Sequence, residues 1–405
     1  WLADRYRVFP SVTLPSGQPA CYIHLLLAIA FVGMLLALPV MVRVPDPRGD
    51  TVLPWFGRLV SGDLFRVVTS MTVLASATSS SRRARALRRI NHGDGNVLLP
   101  EIAAALDDPD PKIRREALLA LGRLGTPEAL DLLRWYLHEP DAVLRAQSVE
   151  AIGLAEIPDR ASLLKRALRD PDSRVRRAAV DALGRSGARD ALAELRGLLA
   201  DERDGEVLVS AAVALSKMKE FGAVREMLDL ALRSPNTTVR AQMLVALADL
   251  LSGTTDFHRL WREDRRWRGA GFAKLARRLR GQARALTPAP GPKPGPSRAE
   301  RRRLLAAVDE EVDGLLENVQ AERWRDALAS IRRLAHQFLR LRYAYEGGDE
   351  NVLEFISAVS PDQAQRYWLI TYLYHACDRS TAAEAPWDGL TLLALHVLVY
   401  GQPPA

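Results

Sequence analysis

Apolar residues recur with the same spacing in three short segments of this chain. The segments read DPDPKIRREALLALG (108–122), EPDAVLRAQSVEAIG (139–153) and DPDSRVRRAAVDALG (170–184). In each segment the apolar residues return every three or four positions, which predicts one amphipathic helix. The proline in second position recurs at a constant interval, at Pro109, Pro140 and Pro171, and marks the turn before that helix. The pattern therefore predicts a helical repeat.

Weaker copies of the same pattern extend the array in both directions. One copy has Arg203 in the proline position and another opens at Pro235, with intervals one position longer than those between the strong copies. A degenerate leading copy places Arg83 and Ile90 in register with the corresponding residues of the next copy. We therefore expect the array to cover residues 78–265.

Each unit carries the same residue types at fixed positions. An arginine follows the first apolar residue and forms a ladder along the array: Arg83, Arg114, Arg145, Arg176 and Arg240. Small residues lie where neighbouring helices are expected to approach: Ala117, Ser148 and Ala179. A glycine closes each segment: Gly122, Gly153 and Gly184. We expect this glycine to end the first helix, because glycine adopts positive φ at low cost. A second amphipathic helix, such as PEALDLLRWYLHE (127–139), follows.

Neither helix of such a unit can bury its apolar face alone. Stacked neighbours make one continuous core, so the prediction is an all-α chain containing an α-solenoid. The motif resembles the short HEAT-like repeats of phycobilisome lyases, whereas the tetratricopeptide and ankyrin signatures are absent. We expect the second helices to line a concave face that binds a partner protein.

Residues 20–42 contain no Asp, Glu, Lys or Arg. A helix of this length would span about 34 Å, so we expect one transmembrane helix, with residues 1–19 as the loop before it. A signal peptide is the alternative, but no small-residue cleavage site follows. Arg43 and Arg48 come directly after the run, which favours a cytoplasmic solenoid and C-terminus at the cell inner membrane.

Residues 43–77 are predicted to form a juxtamembrane amphipathic helix and a hinge. Apolar residues there recur at steps of three and four, and a Ser/Thr cluster follows. Beyond the array we expect a basic helix at 266–286, a Pro/Gly linker at 287–297 and a small helical C-terminal domain at 298–400.

Positive charge is concentrated in one segment. The whole chain has a formal charge of +7, but residues 257–303 alone carry 15 Lys/Arg against 3 Asp/Glu. We interpret residues 257–286 as a basic patch that contacts anionic lipid or another partner. A solvated charged helix is an alternative, and nucleic acid is the least favoured partner. The residues of this patch are Arg262, Arg265, Arg266, Arg268, Lys274, Arg277, Arg278 and Arg280.

No catalytic, cofactor or metal site is expected. The two cysteines, Cys21 and Cys377, exclude a Cys-rich zinc site, and no phosphate loop or nucleophile motif appears. His138 and Glu139 form one His–Glu pair, where a HEAT-like di-iron hydroxylase needs four. We therefore expect no enzyme and no cofactor.

The arginine ladder has two interpretations. Each arginine can cap or pair with the neighbouring repeat near its acidic turn, such as Asp110, Asp141 or Asp172. Alternatively the arginines form a positive stripe for an anionic partner. The interruption of the ladder at Leu208 weakens the second interpretation.

Three segments resemble a bacterial major facilitator transporter fused to a cytoplasmic HEAT-repeat tail. WLADR (1–5) resembles the end of a penultimate membrane helix, VMVRVPDP (40–47) a basic tail after the last helix, and DLLSGTTDFHRLW (249–261) the end of the fused repeats. The resemblance implies that this chain, which begins with Trp1, is the C-terminal fragment of such a transporter. Its tail would then act in interaction or regulation.

Two other functions remain as alternatives. A bilin lyase similar to phycobilisome HEAT-like proteins is one, although such proteins have no membrane span. A HEAT-like protein that binds nucleic acid or another polyanion, such as a repair glycosylase, is the other. It would need a basic concave surface, whereas the charge here follows the repeats.

Overall fold

The computed structural model describes most of the repeat region and most of the chain after it. The predicted loop 1–19, transmembrane helix 20–42 and juxtamembrane segment 43–77 lie outside the described residues. The described residues are 79–91, 98–253, 256–288, 295–345, 347, 351–359, 361–379 and 386–400.

Within these residues the fold is all-helical, with eighteen α-helices and no strand. Two single-turn 3₁₀ helices, Arg189–Ala191 and Phe221–Ala223, precede α8 and α10. The α-helices are α1 (Ser80–Arg88), α2 (Leu99–Leu106), α3 (Pro111–Leu124), α4 (Pro127–Tyr136), α5 (Ala142–Leu154), α6 (Arg160–Ala167), α7 (Ser173–Ser186), α8 (Leu192–Asp201), α9 (Gly205–Lys217), α10 (Val224–Arg233), α11 (Thr237–Ser252), α12 (Phe257–Arg266), α13 (Ala270–Ala285), α14 (Arg298–Gln320), α15 (Trp324–Tyr343), α16 (Val352–Val359), α17 (Pro361–Arg379) and α18 (Trp387–Tyr400).

The chain divides into two compact units, residues 1–113 and 114–405. In the described part of the first unit, Leu87, Ile90 and Ile102 are fully buried. These residues come from α1 and α2 and the turn after α1, so the degenerate leading copy carries the same kind of apolar core as the stronger copies.

The second unit contains the regular repeats. Each first helix packs against the first helix of the next repeat, through the series α5, α7, α9 and α11. Each second helix (α4, α6, α8 and α10) packs against the first helix that follows it. Every helix therefore buries its apolar face against a neighbour, as the prediction of a solenoid requires.

Asp or Asn residues begin the first helices at the period of the repeat. Asp141, Asp172, Asp204 and Asn236 each accept a hydrogen bond from a backbone N–H two residues later, at 2.8–2.9 Å. These side chains satisfy N–H groups that have no partner within the helix. Each of them directly follows the proline position of its copy and therefore marks where a repeat begins.

The prediction that Gly122, Gly153 and Gly184 end the first helices is wrong. All three lie inside helices, and positive φ occurs three residues later, at Gly125 and Gly187. A Cβ on Gly122 would lie 2.1 Å from the carbonyl oxygen of Ala151 on α5, a helix of the next repeat. Glycine is present at these positions because adjacent helices cross too closely for a side chain.

The C-terminal helices share a core with the last repeat. Helix α18 is almost entirely buried and packs against α11, α13, α15 and α17. Arg366 of α17 donates to the carbonyl oxygen of Leu251 at 2.9 Å, and the Tyr372 hydroxyl lies 3.1 Å from Asp229 Oδ1. These helices therefore cover the apolar end that an array of repeats would otherwise expose.

No helix among the described residues combines the length and the apolar composition needed to cross a bilayer. The predicted span at residues 20–42 lies outside these residues.

Candidate functional site: a cationic groove and a basic helix face

The ladder arginines that have described partners bridge consecutive repeats. Arg145 on α5 makes two hydrogen bonds to Asp170, at 2.9 and 3.0 Å, and donates to the carbonyl oxygens of Glu139 and Pro140. The acceptor Asp170 is the first acidic residue in the turn of the following repeat. One guanidinium therefore joins the turn before its own helix to the turn of the next repeat.

Arg176 on α7 repeats this arrangement one unit later. It pairs with both carboxylate oxygens of Glu202, at 2.6 and 2.9 Å, and donates to the carbonyl oxygens of Asp170 and Pro171. Only 6% of the Glu202 side chain is exposed. The hydrogen bond from Arg176 is the main reason why the pKa of Glu202 is lowered, against the opposing effect of burial.

The aspartates that pair with Arg83 and Arg145 lie two positions before the ones that we expected. Asp141 and Asp172, which we expected to pair with the ladder, instead cap α5 and α7. In the first unit, Arg83 pairs with Asp108 at 2.9 Å, so the acceptor again opens the turn. Arg114 and Arg240 occupy the same position on α3 and α11 and are half-buried.

A groove of about 610 Å³ lies between the second helices α4 and α6. Apolar side chains line its floor: Leu137, Val149, Leu163, Ala167 and Val175. Basic side chains form most of its rim: Arg134, His138, Lys165, Arg166 and Arg169. Two acidic residues, Asp170 and Glu194, complete the lining. The surface thus combines apolar contact area with positive charge.

The acidic residues of the groove are already paired. Asp170 is held by Arg145, as described above, and Glu194 lies 3.3 Å from Lys165 Nζ. Arg166 and Arg169 are exposed, and in the described part of the chain neither has an ion-pair partner. The groove therefore retains positive charge that is free to meet a partner.

Sequence reasoning did not single out the groove, and of its residues it considered only His138, as part of a His–Glu pair. Most of its residues lie on or just after the second helices, whose sequences vary more between repeats than the Pro, Arg and Gly positions do. Val149 and Val175 lie on the first helices α5 and α7. The signal that could have found the groove is the pair Arg166 and Arg169 in LLKRALRD (163–170), which lies beside apolar residues of α6. The ladder arginines, which are more regular, are largely occupied with the fold.

His138 and Glu139 do not form part of a metal site in the described structure. The Nδ1 atom of His138 lies 3.0 Å from the carbonyl oxygen of Arg134, on the helix that His138 follows. Among the described residues, no group of three or more His, Cys, Asp or Glu side chains is placed to hold a metal ion.

The predicted basic patch divides into paired and unpaired members. Lys274 pairs with Glu263 at 2.5 Å, and Arg268 pairs with Glu322. Arg278 donates to the Tyr400 hydroxyl at 3.1 Å and lies over its ring. Arg280 contacts Asp309 and Asp313 of α14.

The other members of the basic patch are exposed and make no ion pair with any described residue. They are Arg262, Arg265, Arg266 and Arg277.

Two segments of this chain, residues 71–153 and 160–248, match the family described as HEAT repeats. Together with the stacked helix pairs, this match identifies the array. These two segments are HEAT repeats. The matched segments include all five ladder arginines and every residue that lines the groove.

Two solved structures are similar to this chain at low identity. The complex of CpcE and CpcF of phycocyanin lyase from Nostoc sp. PCC7120 is 16% identical, with a TM-score of 0.30, over 73% of this chain and 92% of that chain. Importin beta is 15% identical, with a TM-score of 0.33, over 83% of this chain and 45% of importin beta. No curated protein matches this sequence.

Proposed function

We propose that the HEAT repeats act as a scaffold that binds a partner protein, and that the groove between α4 and α6 is the contact surface. The observation that supports this proposal is the combination of an apolar floor with unpaired Arg166 and Arg169 on the rim. A solenoid offers such an extended surface because each repeat adds one helix pair to it. The positive rim favours a partner segment that is acidic.

Chemical crosslinking in the source cells, followed by affinity capture of the wild-type chain or of a variant, tests this proposal. The wild-type chain should retain a protein that the double variant Arg166→Glu/Arg169→Glu loses. The matched control is Arg185→Glu/Arg189→Glu, two exposed arginines in the next repeat. Equal capture by all three chains would show that binding does not involve the groove.

We propose further that the scaffold is tethered to a membrane, as the cytoplasmic regulatory tail of a major facilitator-type transporter at the cell inner membrane. This proposal is supported by the charge-free run at residues 20–42 and by Arg43 and Arg48 after it. The intact mass of the native protein, extracted from its source membranes, tests the proposal. A mass near 44.8 kDa would leave a single-span scaffold and exclude the transporter.

The proposed scaffold has no catalytic site of its own. Its direct rival is the bilin lyase, which would bind a bilin and shift the visible absorbance of that pigment. Mixing the purified chain with free bilin therefore separates the two functions. An absorbance shift that the groove variant Arg166→Glu/Arg169→Glu abolishes would favour the lyase.

A further inference from the structure

Helix α12 presents a cationic stripe on its exposed side. His258, Arg259, Arg262, Arg265 and Arg266 are all exposed. At 100° per residue these positions fall within about a third of the helix circumference. Arg259 pairs with Asp256 at the start of the helix, whereas the other three arginines make no ion pair with any described residue.

Both acidic residues of α12 are used inside the protein. The Oδ1 atom of Asp264, which is buried, accepts a hydrogen bond from Gly271 N at 2.9 Å, at the start of α13. Glu263 pairs with Lys274 of α13 at 2.5 Å. These contacts fix α12 against α13 and leave Asp256, which pairs with Arg259, as the carboxylate beside the stripe. The stripe therefore keeps unpaired positive charge at Arg262, Arg265 and Arg266, although the helix sequence is mixed.

An exposed indole lies at the end of this stripe. Trp267 directly follows α12, and 66% of it is exposed to solvent, the largest fraction among the exposed large apolar residues of the described structure. Aromatic rings of this kind are favoured at the boundary between water and lipid, because one part of the ring is apolar and the N–H group is polar.

We propose that the exposed stripe of α12, together with Trp267, docks on the surface of a bilayer that contains anionic phospholipid. The arginines contact the headgroups and the indole enters the interfacial layer. The docking surface is α12 rather than the whole of residues 257–286, because Lys274, Arg278 and Arg280 are engaged inside the protein. This proposal does not depend on a partner in the groove.

The geometry favours a bilayer over nucleic acid. Single-stranded nucleic acid is bound by a basic channel in which several aromatic rings stack on successive bases. Here the cations lie along one side of one helix, about 15 Å long, and a single indole lies at its end. A helix face of this kind suits a broad anionic surface, to which each nearby arginine adds attraction.

Fluorescence of Trp267 in lipid nanodiscs tests the proposal with the full chain. The discs contain either phosphatidylcholine alone or an equimolar mixture with phosphatidylglycerol, both with brominated acyl chains that quench nearby indoles. The Trp267→Phe variant gives the contribution of Trp267 by difference. We expect this contribution to be quenched in the anionic discs and to recover in high salt. In neutral discs it should stay unquenched, whether or not residues 20–42 insert.

The triple variant Arg262→Gln/Arg265→Gln/Arg266→Gln identifies the residues responsible. Each arginine near an anionic surface contributes about a fivefold gain in binding, so the triple variant should weaken docking by about 100-fold. The matched control is Arg185→Gln/Arg189→Gln/Arg225→Gln, which removes three exposed arginines from other helices and should not alter quenching. Unquenched Trp267 in anionic discs, or quenching that the triple variant retains, would refute the proposal. A change in the fluorescence of Trp267 with a DNA oligonucleotide, and none with lipid, would also refute it.

Discussion

At the scale of the residue, Gly122 shows how tightly the repeats are joined. A Cβ at this position would lie 2.1 Å from the Ala151 carbonyl oxygen, which belongs to backbone and cannot rotate away. We expect Gly122→Ala to destabilise the chain by about 1–3 kcal/mol, because α3 and α5 would have to separate. The control is Gly197→Ala on α8, where a Cβ meets no atom within 4 Å.

The two glycine variants should change stability in opposite directions. Gly197→Ala should stabilise by about 0.5–1 kcal/mol, because alanine favours a helix more than glycine does. Thermal unfolding followed by circular dichroism measures both effects. Equal melting temperatures for the two variants would contradict the close contact between α3 and α5.

The ion pair between Arg176 and Glu202 predicts a second effect at this scale. Arg176→Ala leaves a carboxylate of which only 6% is exposed, and it removes the hydrogen bonds to two turn carbonyls. We expect a loss of about 2–3 kcal/mol. The neighbouring Arg177→Ala removes a pair to Glu206, which is exposed, and should cost less than about 1 kcal/mol. Urea unfolding of the two variants at pH 7 compares them.

The effect of Arg176→Ala should depend on pH in a defined direction. Arg176 lowers the pKa of Glu202 in the folded chain, so the pair contributes its full stability above the unfolded value of about 4.3. That contribution is lost as the pH falls through the lower, folded pKa. The stability difference between wild type and variant should therefore be constant from neutral pH down to about pH 5 and shrink in more acidic buffer. A constant difference throughout would show that the pair acts through packing alone.

At the scale of the element, the first helices could be predicted from sequence and their joining could not. Proline before each helix and apolar residues at steps of three and four are local signals, and α5, α7 and α11 lie where these signals place them. The role of Gly122 depends on Ala151 in the next repeat, so the local pattern gave the wrong explanation for a correctly noticed residue. The groove was missed for the same reason, because it is formed by side chains from successive repeats.

Helix α18 carries a prediction at the scale of the element. His396 on this helix is fully buried, and its ring lies 5.3 Å from that of Phe257 and 4.5 Å from that of Tyr400. Burial lowers the pKa of His396 to about 4, while Asp256 opposes the shift and Arg278 adds to it. An unfolded histidine has a pKa of about 6.5, so acid favours the unfolded chain between these two values.

We therefore expect the melting temperature to fall as the pH is lowered from about 6.5 towards 4. His396→Leu should remove this part of the pH dependence, because leucine cannot bind a proton. His375→Gln is the control, since that histidine is exposed on α17. The same acid sensitivity in wild type and in His396→Leu would refute the assignment to His396.

At the scale of the whole molecule, the second unit combines packing between neighbouring helices with packing between helices far apart in sequence. Within the HEAT repeats each helix contacts mainly its neighbours, so a local change should weaken a local region. Around α18, helices from residues 298–400 meet helices of the last repeat, and the contacts join residues more than a hundred positions apart. Sequence patterns did not reveal this shared core, because α18 is apolar on all sides and so does not indicate which helices surround it.

The shared core predicts that the last repeat and the C-terminal helices open together. The variant Arg366→Met/Tyr372→Phe removes the two described hydrogen bonds that link α17 to α10 and α11. Loss of these bonds should cost about 2–3 kcal/mol, because one of them involves a charged donor. Native-state hydrogen exchange should then accelerate by about 30- to 100-fold in α11, α17 and α18 alike, and stay unchanged in α5.

The reciprocal control, Arg115→Ala, removes the ion pair to Glu150 and should affect only α3 and α5. If exchange accelerated in α17 and α18 while α11 kept its protection, the C-terminal helices would be an independent domain.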